Sequence, residues 1–226
     1  MRELPILFSA PMVRAILEGR KTVTRRVFAP ERMTWPRKGF YETHALRGGE
    51  LMTTGFGPFH PERWLSYCPY GQPGDRLWVR ETFASCIDVD EMGFAPESDR
   101  CLFYKADPTP HCVTPGHNGP EELGRWRPSI HMPRWASRIT LEVTGVRVER
   151  LQDITYEQAI AEGITDPATM PEIPAGHGTG ETVMEYARRT NWPKSQFRYL
   201  WVTINGAESW DTNPWVWVVE FKRVTP

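Results

Sequence analysis

Eight residues near the N-terminus, Gly19 to Arg26 in the order GRKTVTRR, bring together a lysine, two threonines and three arginines. A threonine hydroxyl is a strong nucleophile only when a base takes its proton, and a lysine amine is a base only when neutral, far below its usual pKa of about 10.4. Lys21 and Thr24 are the right types for such a pair. Their spacing is odd, however, and in a regular strand their side chains would point to opposite faces. They converge only if the chain turns after Gly19 or if the long lysine stem folds over. The competing reading is a helix end whose basic residues favour the C-terminal dipole, followed by a threonine-rich strand.

Other candidate residues sit further along. In GDRLWVRETF, Glu81 shares its parity with Leu77 and Val79, so a half-buried strand carries a carboxylate inward, where it needs a partner such as Arg26. Arg80 falls on the other face with Trp78 and Thr82. In RPSIHMPRW, Arg127, His131 and Arg134 lie between prolines, a rigid basic loop suited to phosphate contacts or, equally, a structural crossover with surface charge. Trp215 and Trp217 on the last predicted strand could stack on a base or fill a core, and Trp210 and Trp78 are open to the same two uses. His111, Cys112 and His117 near Cys101 are the nearest approach to a metal set, but no C-x-x-C pair is present. No metal and no cofactor is expected.

The elements that would position these residues can be read from pattern. Ser9 is a candidate N-cap, Pro11 stands in the first turn, Met12, Ile16 and Leu17 have helical spacing, and Gly19 supplies a stop. Residues 76–82 read as a strand after the Gly74-Asp75 turn. SRITLEVTGVRVERL is the best strand signal, with Ile139, Leu141 and Val143 alternating against polar neighbours and Gly145 marking a bulge. Thr155 with Gln158 forms a capping box for a short helix that stops at Gly163. Glu181 to Arg189 is a candidate helix, and NPWVWVVEFKRV closes the chain as a strand. The G-x-G-x-G at Gly176, Gly178 and Gly180 lacks the strand-then-helix setting of a phosphate loop and reads as linker.

Gly19, Lys21, Thr24 and Arg26 match G-x-K-x-x-T-x-R, and with PILFSAPMVRAILEGRKTVTRR, GDRLWVRETF, the segment from Arg127 to Ile164 and NPWVWVVEFKRV the chain resembles the ASCH domain family of the PUA-like superfamily. The likeness is to a longer subgroup found in bacteriophages and prophages. It implies an α+β fold: a PUA-like small β-barrel with flanking short helices and long loop insertions. The expected organisation is a single domain over 1–226 with insertions at about 30–73, 87–124 and 165–190. The family implies binding of RNA or nucleotides, and one branch is similar to N(4)-acetylcytidine amidohydrolases, which use a lysine, a threonine and a glutamate. The resemblance carries these catalytic roles to Lys21, Thr24 and Glu162, the last through the short helix from Ile154-Thr155 to Glu162-Gly163. Arg26, Arg80, Glu81, Arg127, His131 and Arg134 are the candidate substrate or nucleic-acid contacts. Two arrangements of the triad are open. A neutral Lys21 is the base, which the family precedent favours, or Glu162 lies against Lys21, keeps it charged and itself activates Thr24 or water.

Composition frames these readings. The chain has 226 residues, 40% hydrophobic and 24% charged, as expected of a folded globular protein. Its net charge of −1 argues against electrostatic nucleic-acid binding by the molecule as a whole. Six arginines fall between Arg125 and Arg150 against Glu142 and Glu149, while Asp88, Asp90, Glu91, Glu97 and Asp99 gather elsewhere, so a local basic face is expected as readily as scattered surface charge. The start is too short in apolar run for a signal peptide or membrane span, which predicts a cytoplasmic protein, in the host cytoplasm if phage-encoded, with no membrane partner. Expected partners are a nucleoside or RNA, with DNA as an alternative. The alternatives to the amidohydrolase are a non-catalytic RNA/DNA-binding module, a ribonuclease, and an accessory protein whose insertions grip a host protein partner.

Overall fold

A computed structural model describes residues 1–28, 44–47, 50–53, 65–87, 100–111, 125–170, 180 and 182–224. The fold mixes α and β. A five-stranded sheet runs in the order β1-β5-β9-β10-β2, built from β1 (Glu3–Leu7), β2 (Val23–Val27), β5 (Arg76–Arg80), β9 (Thr140–Arg150) and β10 (Trp215–Val224). β1 and β2 are its two edges, so among the described residues the sheet is open rather than a closed barrel. A hairpin of β3 (His44–Arg47) and β4 (Glu50–Thr53) stands within the expected 30–73 insertion, and β6 (Phe83–Ile87), β7 (Arg100–Tyr104) and β8 (Asp107–His111) form a three-stranded sheet that runs into the expected 87–124 insertion.

The chain divides into two compact units. The first comprises Met1–Gly19, Asp75–Glu142 and Arg223–Pro226. In it, α1 (Ala10–Leu17) follows Ser9 and carries Pro11 in its first turn, and Gly19 with φ +75° ends it as the sequence predicts. β5 pairs in parallel with β1 and antiparallel with the start of β9, burying Leu77 and Val79 on one face and continuing to buried Glu81. Phe83, Tyr104, Met132 and Ala136 form a compact cluster under the segment that follows Arg125.

The second unit comprises Arg20–Gly74 and Val143–Lys222. β2 pairs antiparallel with β10, Thr24 opposite Val219, Arg25 opposite Val218 and Arg26 opposite Trp217. Val23 and Val218 pack with Leu151, Ile154, Ala159, Phe197 and Trp201 in a core shared with α2 (Tyr156–Ala161) and α4 (Lys194–Asn205), the second of which carried no motif. α2 opens with the expected Thr155/Gln158 capping box, and α3 (Val183–Arg189) begins with a second one, Thr182 with Glu185. Along β9 the buried set runs Leu141, Val143 and then Val148, so its phase shifts across Gly145.

Candidate functional site

The signature turn and α2 meet at one point in the second unit. Glu162 is the C-cap of α2 and Gly163, with φ +94°, turns the chain away. The last carbonyls of a helix lack intrahelical donors and carry partial negative charge. Two successive cations meet them: Arg20 donates to the Gly163 carbonyl at 2.9 Å, and Lys21 Nζ donates to the Glu162 carbonyl at 2.8 Å. Backbone pairing fixes the register, with Thr22 N–H donating to Ala161 O at 2.9 Å and Lys21 bridged antiparallel to Glu162.

Lys21 Nζ also donates to Glu162 Oε2 at 2.7 Å and to the Val23 carbonyl at 2.9 Å. The stem has folded back along the start of β2, the second of the two routes available to it. Burial pushes the Lys21 amine below the usual lysine range; Glu162 opposes this by charge and hydrogen bond, while Arg26 and Arg25 reinforce it. An ammonium has three donors and no acceptor, and here three acceptors surround it. That geometry matches the charged form and therefore the arrangement in which Glu162, not Lys21, is the base.

Glu162 is held from its other oxygen as well. Arg25 Nη1 lies 3.4 Å from Oε1, and Nη2 donates to Gln158 Oε1 at 2.6 Å and Glu149 Oε2 at 3.2 Å. The same Gln158 oxygen accepts from the Thr155 amide at 3.0 Å, so the capping box of α2 and the arginine of β2 share one atom. Arg147 pairs with both Glu149 and Glu220, extending the chain of alternating charge. A cleft of about 200 Å³ opens beside this network, lined by Thr22, Val23, Gln158 and Ala161 and, among others, by Arg147 and Glu220. It is smaller than the roughly 300–1,000 Å³ of pockets for drug-sized ligands and would take part of a ligand rather than all of it.

Thr24 is buried and faces away from this network by strand parity, on the side of β2 that holds Arg26 and looks onto Trp217 and Val219. No hydrogen bond among the described residues joins its hydroxyl to Lys21 or Glu162. Arg26 is near enough for its charge to act on Lys21, which places Lys21 and Glu162 at the strand edge between Arg25 on one face and Arg26 on the other. Trp217 belongs to the core, with its ring 5.0 Å from Phe28; Trp210 packs edge-on to Phe197; Trp215 lies under Arg150. The sequence assigns Gln158 only a capping role, and it gives Arg25 and Glu149 no place in the site. The signal that could have found them is the polar parity of β2, where Arg25 shares a face with core residue Val23.

The remaining candidates lie in the first unit. Glu81 is buried as its parity requires, and Arg138 grips it with two bonds, Nε to Oε1 at 3.0 Å and Nη2 to Oε2 at 3.2 Å. Arg138 Nη1 also reaches Asp107 at 3.2 Å, and its guanidinium lies 4.0 Å from the Tyr104 ring centroid. Arg80 and Arg134 both lie over the Trp78 ring, at 5.4 and 5.9 Å, and Arg127 and His131 are exposed. Cys112, His117, Gly176 and Gly178 lie outside the described residues, as do the side chains of Cys101 and His111. Among the described residues no group of three or more His, Cys, Asp or Glu could hold a metal ion, and no helix is long and apolar enough to cross a membrane.

No family model, curated protein or solved structure matches the chain.

Proposed function

We propose that the chain is a PUA-like nucleotide-directed protein that hydrolyses the acyl group from the exocyclic amine of an acylated cytidine or related nucleoside. One observation carries the reading: the glutamate assigned through the family likeness lies 2.7 Å from the lysine of the signature turn, 141 residues earlier in the chain. The small barrel belongs to the same reading, and closure of the five-stranded sheet is what it adds to the fold. Glu162 is the base. It takes the proton from the Thr24 hydroxyl, or from a water, as that oxygen attacks the acyl carbonyl carbon.

The carbonyl electron pair moves onto oxygen, and Lys21 meets the oxyanion by exchanging one of its bonds to a backbone carbonyl for it. Collapse breaks the C–N bond, and the proton held by Glu162 leaves with the amine. Where Thr24 is the nucleophile, a water then releases the acid from its ester. For Thr24 to take part, its side chain or the β2 edge must shift when substrate binds. Water as the nucleophile needs no such shift.

Acetate release from N(4)-acetylcytidine tests this. Glu162→Gln keeps the volume and a hydrogen bond to Lys21 and is expected to lower the rate at least about 100-fold. Thr24→Val separates the two nucleophiles, and thermal unfolding of each variant controls for the fold. Undiminished hydrolysis by Glu162→Gln, or no release by the unaltered protein, overturns the assignment.

The full occupancy of the three Nζ donors favours a second reading, in which Lys21 and Glu162 lock the cleft and the protein holds a nucleotide without cutting it. Calorimetric binding of the acetylated nucleoside with no acetate released would select it.

A further inference from the structure

Two of the four cysteines stand directly opposite one another in the three-stranded sheet of the first unit, and the candidate site does not account for them. β6 and β7 pair antiparallel with Phe83 opposite Tyr104, Ala84 opposite Phe103 and Cys86 opposite Cys101. The register runs without a slip from Phe83 to Ile87. Of the other two cysteines, Cys68 belongs to the second unit and Cys112 lies outside the described residues.

Neighbouring backbone contacts fix the kind of pair this is. Phe83 exchanges both backbone hydrogen bonds with Arg127, donating at 3.2 Å and accepting at 2.7 Å, so its N–H and C=O point away from β7. In an antiparallel ladder that direction alternates with every residue. Thr82, Ala84 and Cys86 therefore turn theirs towards β7, and the Lys105 amide donates to the Thr82 carbonyl at 2.9 Å as this requires. Cys86 and Cys101 are accordingly a hydrogen-bonded pair, a position where Cα atoms stand about 5.5 Å apart. That spacing falls inside the window of roughly 4.4–6.8 Å in which a disulfide closes. Cβ atoms at such a position start near the wide end of about 4.5–5.5 Å, whereas a disulfide takes about 3.5–4.5 Å. Closure must draw the two strands together, and a bond made under that demand is easily reduced.

The strands have a firm base from which to close. Ala84 and Phe103, the preceding pair of the same parity, are both buried. Phe83 and Tyr104 belong to the cluster with Met132 and Ala136. A buried face specifies register strongly, so Cys86 and Cys101 are kept opposite each other whether bonded or not. The sequence between them carries charge of one sign. Asp88 and Asp99 each stand two residues along the chain from a cysteine, Asp90, Glu91 and Glu97 lie between, and residues 88–99 include no lysine or arginine. Carboxylates so placed repel an anionic reactant and admit a cationic one.

We propose that Cys86 and Cys101 are a redox modification site, a dithiol that closes reversibly to a cross-strand disulfide by exchange with a cationic small-molecule disulfide. One cysteine thiolate attacks a sulfur of that reagent and expels a small thiolate, which leaves a mixed disulfide on the protein. The second cysteine attacks the protein sulfur, forms the cross-strand bond and expels the other small thiolate. Two cysteines are oxidised, one small disulfide is reduced by two electrons, and the cysteine protons leave on the expelled thiols. The proposal concerns the first unit alone and does not depend on the hydrolytic reading.

Treatment of the full chain with cystamine, then alkylation in denaturant and peptide mass mapping, tests it. Untreated protein is expected to alkylate at four cysteines, and treated protein to lose two of these sites, to yield a Cys86–Cys101 peptide pair and to recover all four in dithiothreitol. Exchange should run faster with cystamine than with oxidised glutathione, which is anionic, and added salt should narrow the difference. Amide hydrogen exchange at Ala84 and Phe103 should slow when the bridge forms, which reads closure in the folded protein without any substitution. Cys86→Ser and Cys101→Ser should each abolish the bridge, while Cys68→Ser and Cys112→Ser leave it. A bridge mapped to another pair or between two chains, a mixed disulfide that never closes, or faster exchange with oxidised glutathione overturns the proposal. None of these readouts involves acetate release, so failure here and failure of the hydrolase are separate results.

Discussion

Lys21 Nζ lies 2.7 Å from Glu162 Oε2, and both side chains are closed to solvent. Removing two charges from water is expensive, and here the attraction is supported by two further acceptors on the lysine and by Arg25 on the second carboxylate oxygen. The pair also joins β2 to the end of α2, whose six residues are too few to be stable alone. One contact is therefore both the centre of the candidate site and a tie of the fold.

Replacing one partner should expose that dependence. Lys21→Met leaves a buried carboxylate with Arg25 at 3.4 Å and the charge of Arg26 nearby. A loss of about 3 kcal/mol in unfolding free energy is expected, the low end for breaking a buried pair because Arg25 stays. Adding Glu162→Gln removes the stranded charge and should recover at least about 1 kcal/mol. Urea titration of the two single variants and the double variant measures this, and strictly additive losses would contradict it.

Arg25 is the second tie. Its guanidinium reaches Glu162, Glu149 and Gln158, which takes the geometry of a fork and not of a point charge. Arg25→Lys should therefore destabilise by about 2 kcal/mol. It should also raise amide hydrogen exchange in the first turn of α2, because Gln158 loses the arginine that positions it. Unchanged exchange at Gln158 and Ala159 would show that the capping box stands without Arg25.

Much of this was legible in the sequence where one local rule decides it. The Thr155/Gln158 box, the Gly19 and Gly163 stops and the inward parity of Glu81 all follow from neighbours within a few residues. The meeting of Lys21 with Glu162 came only through family likeness, since no local pattern links positions 141 residues apart. The partner of Glu81 was misplaced for the same reason: Arg138 is 57 residues away and any arginine would have satisfied the rule. The sheet of β6, β7 and β8 lies partly in the expected 87–124 insertion, and its pairing of Phe83 with Tyr104 spans 21 residues, beyond the reach of a local rule.

Gly145 is read from the sequence as a bulge, and the structure gives its absent side chain a further reason. A Cβ there would stand 2.8 Å from Glu220 Oε2, the carboxylate that pairs with Arg147. The intruding atom is the end of a flexible chain, so Gly145→Ala should cost only about 1 kcal/mol, mostly through the Arg147 pair. In a Glu220→Ala background the same change should be neutral or slightly stabilising, since alanine lowers the entropy of the unfolded chain. A double-mutant cycle on chemical denaturation reads the coupling, and its absence would separate Gly145 from the charge network.

Tyr104 gives a pH signature for the first unit. Burial pushes its phenol up to about 12; Glu81 acts in the same direction and Arg138 against it. The unfolded chain loses this proton near the ordinary value of about 10, while the folded chain keeps it. Between those values the folded state binds more protons, so stability falls as pH rises from about 10 towards about 12. Tyr104→Phe removes the titration together with the hydroxyl's bond to Ala136. Near pH 7 that variant should be less stable by about 1 kcal/mol, and the difference should shrink above pH 10. Unfolding curves collected across this range, with tyrosinate absorbance followed in parallel, check both halves; a gap that widened with pH would mean that the phenol ionises more readily in the folded protein.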